Sequence, residues 1–421
     1  MANIPWTRDI GNGLRMCAVG GLEDIERVAA FDALIHGAGS EVTWSTWMRD
    51  HPHMRASAWL FIEEAASRQV VASLCLIPWR IHYAGVELRS AEMGVVGTLP
   101  AYRGRRLQHV LNQRFAELIH ADGFDLSHIQ GIPYFYRQFG YEYALPLEAW
   151  WRLELHMVPL NPPTNEQLYC RLANLNDLPI LEQLYAQAAA ALDVAALRDE
   201  AVWRFLLGPA LLTETAAETW LICDMSGTCM GYFRVARQGF GDGLIVAESS
   251  LLSPEAARVA LAHVRQLAED RAKPFVRLNL PAATTLVVVA RSLGAHDGNS
   301  YGWQIRLPNP LGLLRKLAPV LNQRIAASIY AGLTRDIVLD FYRHACRLRF
   351  TDGAISAVEA VEPGTSADLQ LPPQLFAPLL LGHRSLAEMN PMYPDASAPG
   401  ASRPLIELLF PTLRGWLYMP Y

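Results

Sequence analysis

The chain of 421 residues has no surplus of positive charge: 36 lysines and arginines stand against 41 aspartates and glutamates, a formal net charge of −5. That balance excludes nucleic acid as the main partner, since such a partner requires a basic face. It suits a cationic acceptor such as an amine. No apolar run approaches the about 18 residues that a membrane-spanning helix requires, and residues 1–6 lack the charged-then-apolar pattern of a secretory leader. The expectation is a cytoplasmic protein with no membrane partner. The six cysteines (Cys17, Cys75, Cys170, Cys223, Cys229, Cys346) include no C-x-x-C pair, so reduced core thiols are expected. His36, His51, His53, His109 and His128 share no metal-ligand spacing on one helix face, so no metal is expected. Charged residues make up only 18% of the chain and hydrophobic ones 51%. That composition leaves little room for disorder and ample material for the roughly two to four domains that this length suggests.

What is present concentrates in one segment, Val95-Val96-Gly97-Thr98-Leu99-Pro100-Ala101-Tyr102-Arg103-Gly104-Arg105-Arg106-Leu107. It reads as a strand, a Pro-broken turn, then a helix over residues 108–120. The first turn of a helix has backbone N–H groups without intrahelical partners, and these favour an anion. Arg103, Arg105 and Arg106 add fixed positive charge. That chemistry suits a pyrophosphate. Further on comes Pro133-Tyr134-Phe135-Tyr136-Arg137-Gln138-Phe139-Gly140-Tyr141, an aromatic helical turn closed by glycine.

Together these segments resemble the GNAT superfamily of acetyl-coenzyme A N-acetyltransferases. The resemblance implies that the backbone of Val96 and Thr98 pairs with the pantetheine arm and polarises the thioester carbonyl. It implies further that Arg103, Gly104, Arg106 and Leu107 line the pyrophosphate site, with Arg105 reaching the outer phosphate. Tyr136 becomes the general acid that protonates the leaving thiolate, although Tyr134, Tyr141 and Tyr143 lie close by in sequence and compete for the role. The family's loop pattern is Arg/Gln-x-x-Gly-x-Gly/Ala; here Arg106 and Gln108 occupy the glycine positions, and Gly104 is the one glycine left in the turn.

The order of elements fits an α+β chain. A strand at residues 14–19 precedes an amphipathic helix carrying Leu22, Ile25, Val28, Ala29 and Leu34 at helical spacing, and Trp44 and Trp47 lie on a second short helix. Strands follow at 58–63, 70–79 and 85–96, then at 126–131 and 147–157. Residues 158–165 read as a linker, being prolines and polar residues without periodicity. The pattern then partly repeats: a strand at 169–172, a helix at 177–190, a hairpin around Ser226-Gly227, a strand at 244–252 and a helix at 254–269. Ser253-Pro254-Glu255 carries the wrong charge for phosphate, and Ala290-Arg291-Ser292-Leu293-Gly294-Ala295 has no tyrosine. This second copy reads as a coenzyme-free fold that walls the cleft. From Asn309 the pattern changes, with strands at 338–341, 348–350 and 354–361, the last two joined through Thr351-Asp352-Gly353, and a helix at 372–381.

With Leu379-Leu380-Leu381-Gly382-His383-Arg384-Ser385 and Tyr232-Phe233-Arg234-Val235 as markers, the whole chain resembles the Eis (enhanced intracellular survival) branch of acetyltransferases. The implied organisation is two tandem GNAT domains, a catalytic one at 1–158 and a degenerate one at 166–308, followed by a sterol-carrier-protein-like domain at 309–421. In that family the C-terminal carboxylate enters the first domain's active site as base. Here that residue is Tyr421, at the end of an aromatic, Pro-stiffened tail, Trp416-Leu417-Tyr418-Met419-Pro420-Tyr421. Asp32, Glu41 and Trp44 fall in the region that lines the family's acceptor cavity. The implied co-substrate is acetyl-CoA, the acceptor a small-molecule or peptide amine of aminoglycoside, polyamine or lysine type, and the assembly a hexamer. A rival reading is a non-catalytic module binding coenzyme A or an apolar ligand.

Overall fold

The computed structural model describes residues 6–161, 167–239 and 241–421; residues 162–165 of the expected linker lie outside the described residues. Two strands, β1 (Thr7–Gly11) and β2 (Leu14–Ala18), form a hairpin that turns through Asn12 and Gly13, both at positive φ, as a two-residue hairpin turn requires. The sequence reading placed no strand at β1. Helices α1 (Leu22–His36) and α2 (Glu41–Asp50) follow. Helix α1 buries Ile25, Val28 and Ala29. Leu22 and Leu34, assigned to the same face, are 68% and 73% exposed: position 34 falls off the stripe that meets the sheet, and Leu22 is the first residue of the helix.

Strands β3 (Trp59–Glu64), β4 (Val70–Tyr83) and β5 (Val86–Thr98) continue the sheet antiparallel. Helix α3 (Leu107–Ala121) crosses to β6 (Leu126–Ile129), which lies parallel to β5. Strand β7 (Glu142–Glu154) begins five residues earlier than its alternation suggested. The second half contributes β8 (Leu168–Leu172), helix α4 (Leu178–Ala190), β9 (Val194–Leu197), helix α5 (Glu200–Leu207), β10 (Ala217–Asp224), β11 (Cys229–Ala236), β12 (Leu244–Ser249), helix α6 (Pro254–Asp270), β13 (Phe275–Asn279), helix α7 (Thr285–Ser292) and β14 (His296–Arg306). Cys223 and Cys229 are joined as a disulfide across the β10–β11 hairpin. This corrects the expectation of six free thiols: the hairpin sets the two side by side, a proximity that their separation in sequence does not reveal.

The two halves exchange strands. Strand β14, last in the second half, pairs with β6 and β7 of the first half, while the end of β7, Trp150 to Glu154, pairs with β13 of the second. A single sheet of 15 strands among the described residues therefore runs through both halves. Boundaries at 158 and 308 divide the chain without dividing the sheet.

The region from residue 309 onward carries a separate four-stranded sheet in the order β17 (Ala354–Val361), β16 (Ala345–Thr351), β15 (Arg335–Asp340), β18 (Leu369–Gln370). It is fastened to the first half by Lys316 Nζ to Asp125 at 2.6 Å and by the Tyr83 hydroxyl donating to the carbonyl of Leu380 at 2.8 Å. The chain then returns: β19 (Gly415–Trp416) pairs parallel with β9, which itself pairs with the end of β4. That return delivers the tail to the sheet's central cavity. No helix among the described residues is long and apolar enough to cross a membrane.

Candidate active site

Strands β5 and β6 pair only from Ser90 to Glu92 against Leu126 to His128. Beyond that point the two no longer pair with each other, and residues 93–96 with Ile129, Gln130 and Ile132 line one cavity of about 590 Å³. Two parallel strands that part in this way leave backbone N–H and C=O groups unpaired along their inner edges, ready for an extended ligand. A bulge helps to part them: Val95 has φ +49, and the β4–β5 register shifts between Ser73 and Cys75. A β-branched residue at positive φ is strained backbone; Ser73 Oγ lies 3.2 Å from the Val95 carbonyl.

At the far end of β5 lies the arginine turn. Gly104 has φ +78 and Arg106, which starts helix α3, has φ +59. The turn thus takes the left-handed backbone that a glycine would supply, but with arginine. No side chain caps the helix start. Arg103, Arg105 and Arg106 are exposed, and among the described residues none forms a salt bridge; Arg105 stacks on the Tyr102 ring at 4.5 Å. Gln108, the other departure from the glycine pattern, turns back to the strand: its Nε2 donates to the Gly97 carbonyl at 2.7 Å and to Thr98 Oγ1 at 3.0 Å. It fastens helix to strand and leaves the mouth of the turn open. These residues fit a pyrophosphate, three unpaired guanidinium groups standing around an uncapped helix start.

Tyr136 sits on the 3₁₀ turn Phe135–Phe139, 6% exposed, and lines the cavity. Its ring occupies the space that a side chain at position 131 would fill; a Cβ there would lie 2.1 Å from the ring, so glycine is required. Burial pushes the phenol's pKa well above its ordinary value. The competing tyrosines are placed elsewhere. Tyr134 is 76% exposed, Tyr141 donates to or accepts from Ser127 Oγ at 2.7 Å inside the core, and the Tyr143 hydroxyl meets that of Tyr301 at 3.3 Å.

Tyr421 also reaches this cavity, as do Trp416, Leu417, Tyr418 and Met419. Its hydroxyl donates to Glu92, 3.0 Å from each carboxylate oxygen, and accepts from Gln130 Nε2 at 2.9 Å. Trp47 packs on its ring at 4.4 Å between centroids. Trp79 Nε1 donates to the other side of Glu92 at 3.0 Å. Burial pushes the Glu92 carboxyl up to about 8, against the opposing pull of the hydrogen bonds from Tyr421, Gln130 and Trp79. Glu92 was not singled out in the sequence; its one signal is a lone acid inside an apolar strand, Ala91-Glu92-Met93.

Of the three residues expected near the acceptor, Trp44 lines the cavity. Asp32 and Glu41 do not. Asp32 is wholly buried, accepting from Trp59 Nε1 at 3.1 Å and from Ser73 Oγ, and burial raises it to about 8. Glu41 is exposed at the start of α2. The second half supplies polar groups that sequence reasoning did not assign to a site: Glu214, Arg234, Glu248 and Arg277. They come from three separate strands and a loop, so no local spacing could have joined them. No group of three or more His, Cys, Asp and Glu residues able to hold a metal occurs among the described residues.

Residues 23–144, which carry the parted strands, the arginine turn and Tyr136, match the family model for the acetyltransferase (GNAT) domain. The chain carries a GNAT acetyltransferase domain. The fold as a whole also has counterparts. A GCN5-related N-acetyltransferase from Anabaena variabilis is 18% identical, with a TM-score of 0.70 over 96% of this chain and 99% of that one. A conserved protein from Enterococcus faecalis, described as a probable N-acyltransferase, is 13% identical with a TM-score of 0.71 over 97% and 100%. Eis1 from Mycobacterium abscessus is 14% identical with a TM-score of 0.64 over 97% and 100%. At these identities the likeness is one of fold. No curated protein matches the sequence. The GNAT domain contributes Trp44, Glu92, Val96 and Tyr136 to the cavity, while residues outside its matched span, Arg234 and Tyr421 among them, close it.

Proposed function

We propose that the protein is an acetyl-CoA-dependent N-acetyltransferase acting on primary amines of aminoglycoside, polyamine or lysine type, with one working site per chain. The observation that carries this reading is Tyr136, a buried phenol on the cavity wall beside parted strands that end at an unpaired arginine turn. Acetyl-CoA supplies an activated thioester. Arg103, Gly104, Arg105, Arg106 and Leu107 hold its pyrophosphate, and the backbone of Val96 and Thr98 aligns its arm and polarises the carbonyl.

The amine nitrogen forms the new C–N bond as the C–S bond breaks. Tyr136 hands its proton to the departing sulfur; its raised pKa keeps it protonated at neutral pH. The α-carboxylate of Tyr421 takes the proton that the amine loses, while Glu92 and Gln130 hold the phenol hydroxyl of the same residue. Trp44 and Trp47 form an aromatic wall suited to an amine. The 309–421 region is proposed as a sterol-carrier-protein-like domain that carries the tail into place, the 166–308 region as a degenerate GNAT-like domain that walls the cleft, and the assembly as a hexamer in the cytoplasm.

The test follows free thiol release from acetyl-CoA with a panel of amines. Amine-dependent release is expected. Tyr136→Phe should lower kcat by about a hundredfold while calorimetry shows nearly unaltered coenzyme A affinity. Deleting Tyr421 should cost activity beyond any change in melting temperature. Coenzyme binding without turnover would favour a non-catalytic module, and absence of any coenzyme A affinity would end the transferase reading and leave only a module for an apolar ligand.

A further inference from the structure

Arg234, on β11, is 4% exposed and lies on the cavity wall contributed by the second half. Its charge is poorly matched there. The facing acid is Glu248, whose oxygen lies 3.6 Å away. Glu248 is already occupied: Arg198 grips both its oxygens at 2.7 Å, and the Tyr232 hydroxyl donates to it at 2.6 Å. Two guanidinium groups share one carboxylate, and one positive charge is left over. The Arg234 Nε has no hydrogen-bond partner. The other charged groups on this wall do not supply the difference. Glu148 is taken by Arg277 at 2.7 Å, and Glu214 forms no salt bridge among the described residues.

Burying a guanidinium beside an acid that another arginine has saturated is costly, and it adds little to the fold because Glu248 stays paired without it. Arg234 nevertheless lines the cavity, and the planar fork of N–H donors on a guanidinium is complementary to a carboxylate. We propose that Arg234 receives a carboxylate borne by the acceptor, so that the favoured substrates are amines of amino-acid or peptide type rather than simple polycations. This rests on the transferase reading above. It selects among the acceptor classes by charge: the amine stands at Tyr136 and Tyr421, and the carboxylate stands at Arg234 across the same cavity.

The test uses pairs that differ by one carboxylate: L-lysine against 1,5-diaminopentane, and 6-aminohexanoate against pentylamine. With the full-length protein and acetyl-CoA, kcat/KM should favour the carboxylate member of each pair by about tenfold. Arg234→Gln should erase that preference mainly through KM, and Arg234→Lys should restore part of it. Melting curves check that Arg234→Gln folds. Equal use of both members by the wild type, or an equal loss on both in Arg234→Gln, overturns the proposal while leaving the transferase reading intact. If no amine is acetylated the transferase reading fails on its own account. Calorimetry with 6-aminohexanoate then still decides, since binding that Arg234→Gln abolishes supports the carboxylate site and equal or absent binding refutes it.

Discussion

At the scale of single residues, burial sets the titration of one acid in the cavity. Glu92 ordinarily titrates near 4.5, and burial lifts it to about 8. Between those values the folded chain keeps a proton that the unfolded chain releases. Its contribution to stability is therefore fully present below about pH 4.5 and is lost as pH rises through about 8. Glu92→Gln, which keeps an uncharged side chain of the same shape, should flatten the fall in melting temperature over that window and melt above the wild type at pH 9. Asp32, raised to about 8 by the same cause, contributes separately, so the flattening will be partial. A melting curve for Glu92→Gln that parallels the wild type from pH 5 to 9 would contradict the buried, protonated carboxyl.

At the scale of elements, the junction between β5 and α3 combines strain with charge. Arg106 adopts the left-handed backbone of a glycine, at a cost of about 1–2 kcal/mol for a residue with a Cβ. Arg106→Gly should accordingly stabilise the protein by about 1 kcal/mol and at the same time weaken coenzyme A binding and shallow its salt dependence, since one of three guanidinium groups is gone. Chemical denaturation and calorimetry read these opposite effects independently. A variant both less stable and equally tight in binding would show that Arg106 serves the fold and not the phosphate. Gln108 stands where the family's pattern has its second glycine, and its amide bonds back to Gly97 and Thr98 on the strand side of the turn.

At the scale of the whole molecule, the exchanged strands make the halves interdependent. The first half lacks β14, which lies between β6 and β7, so residues 1–158 alone would expose the unpaired edges of both strands. That fragment should fail to give dispersed amide resonances or a cooperative melt, and supplying residues 159–421 in the same cell should recover folded, active protein. Cooperative folding of 1–158 by itself would overturn the dependence. The tail makes a similar point at longer range. Its last strand pairs with β9, which pairs with β4, so the third region, the second half and the first half all hold Tyr421 in the cavity.

The sequence by itself determined the local elements around the cavity. Its hydrophobic alternation marked β3, β4 and β5, its glycine-closed aromatic turn located Tyr136, and its three arginines marked the start of α3. These are short-range signals, carried by periodicities of two and 3.6 residues and by turn chemistry. Tertiary structure alone decided which of four tyrosines faces the cavity, that Asp32 turns into the core while Trp44 meets the cleft, that Cys223 bonds Cys229, and that Glu92, Arg234 and Tyr421 stand around one space. The physical reason is that each of these depends on contacts between segments far apart in the chain, where a strand crossing from one half to the other fixes the neighbours and no spacing along the sequence records them.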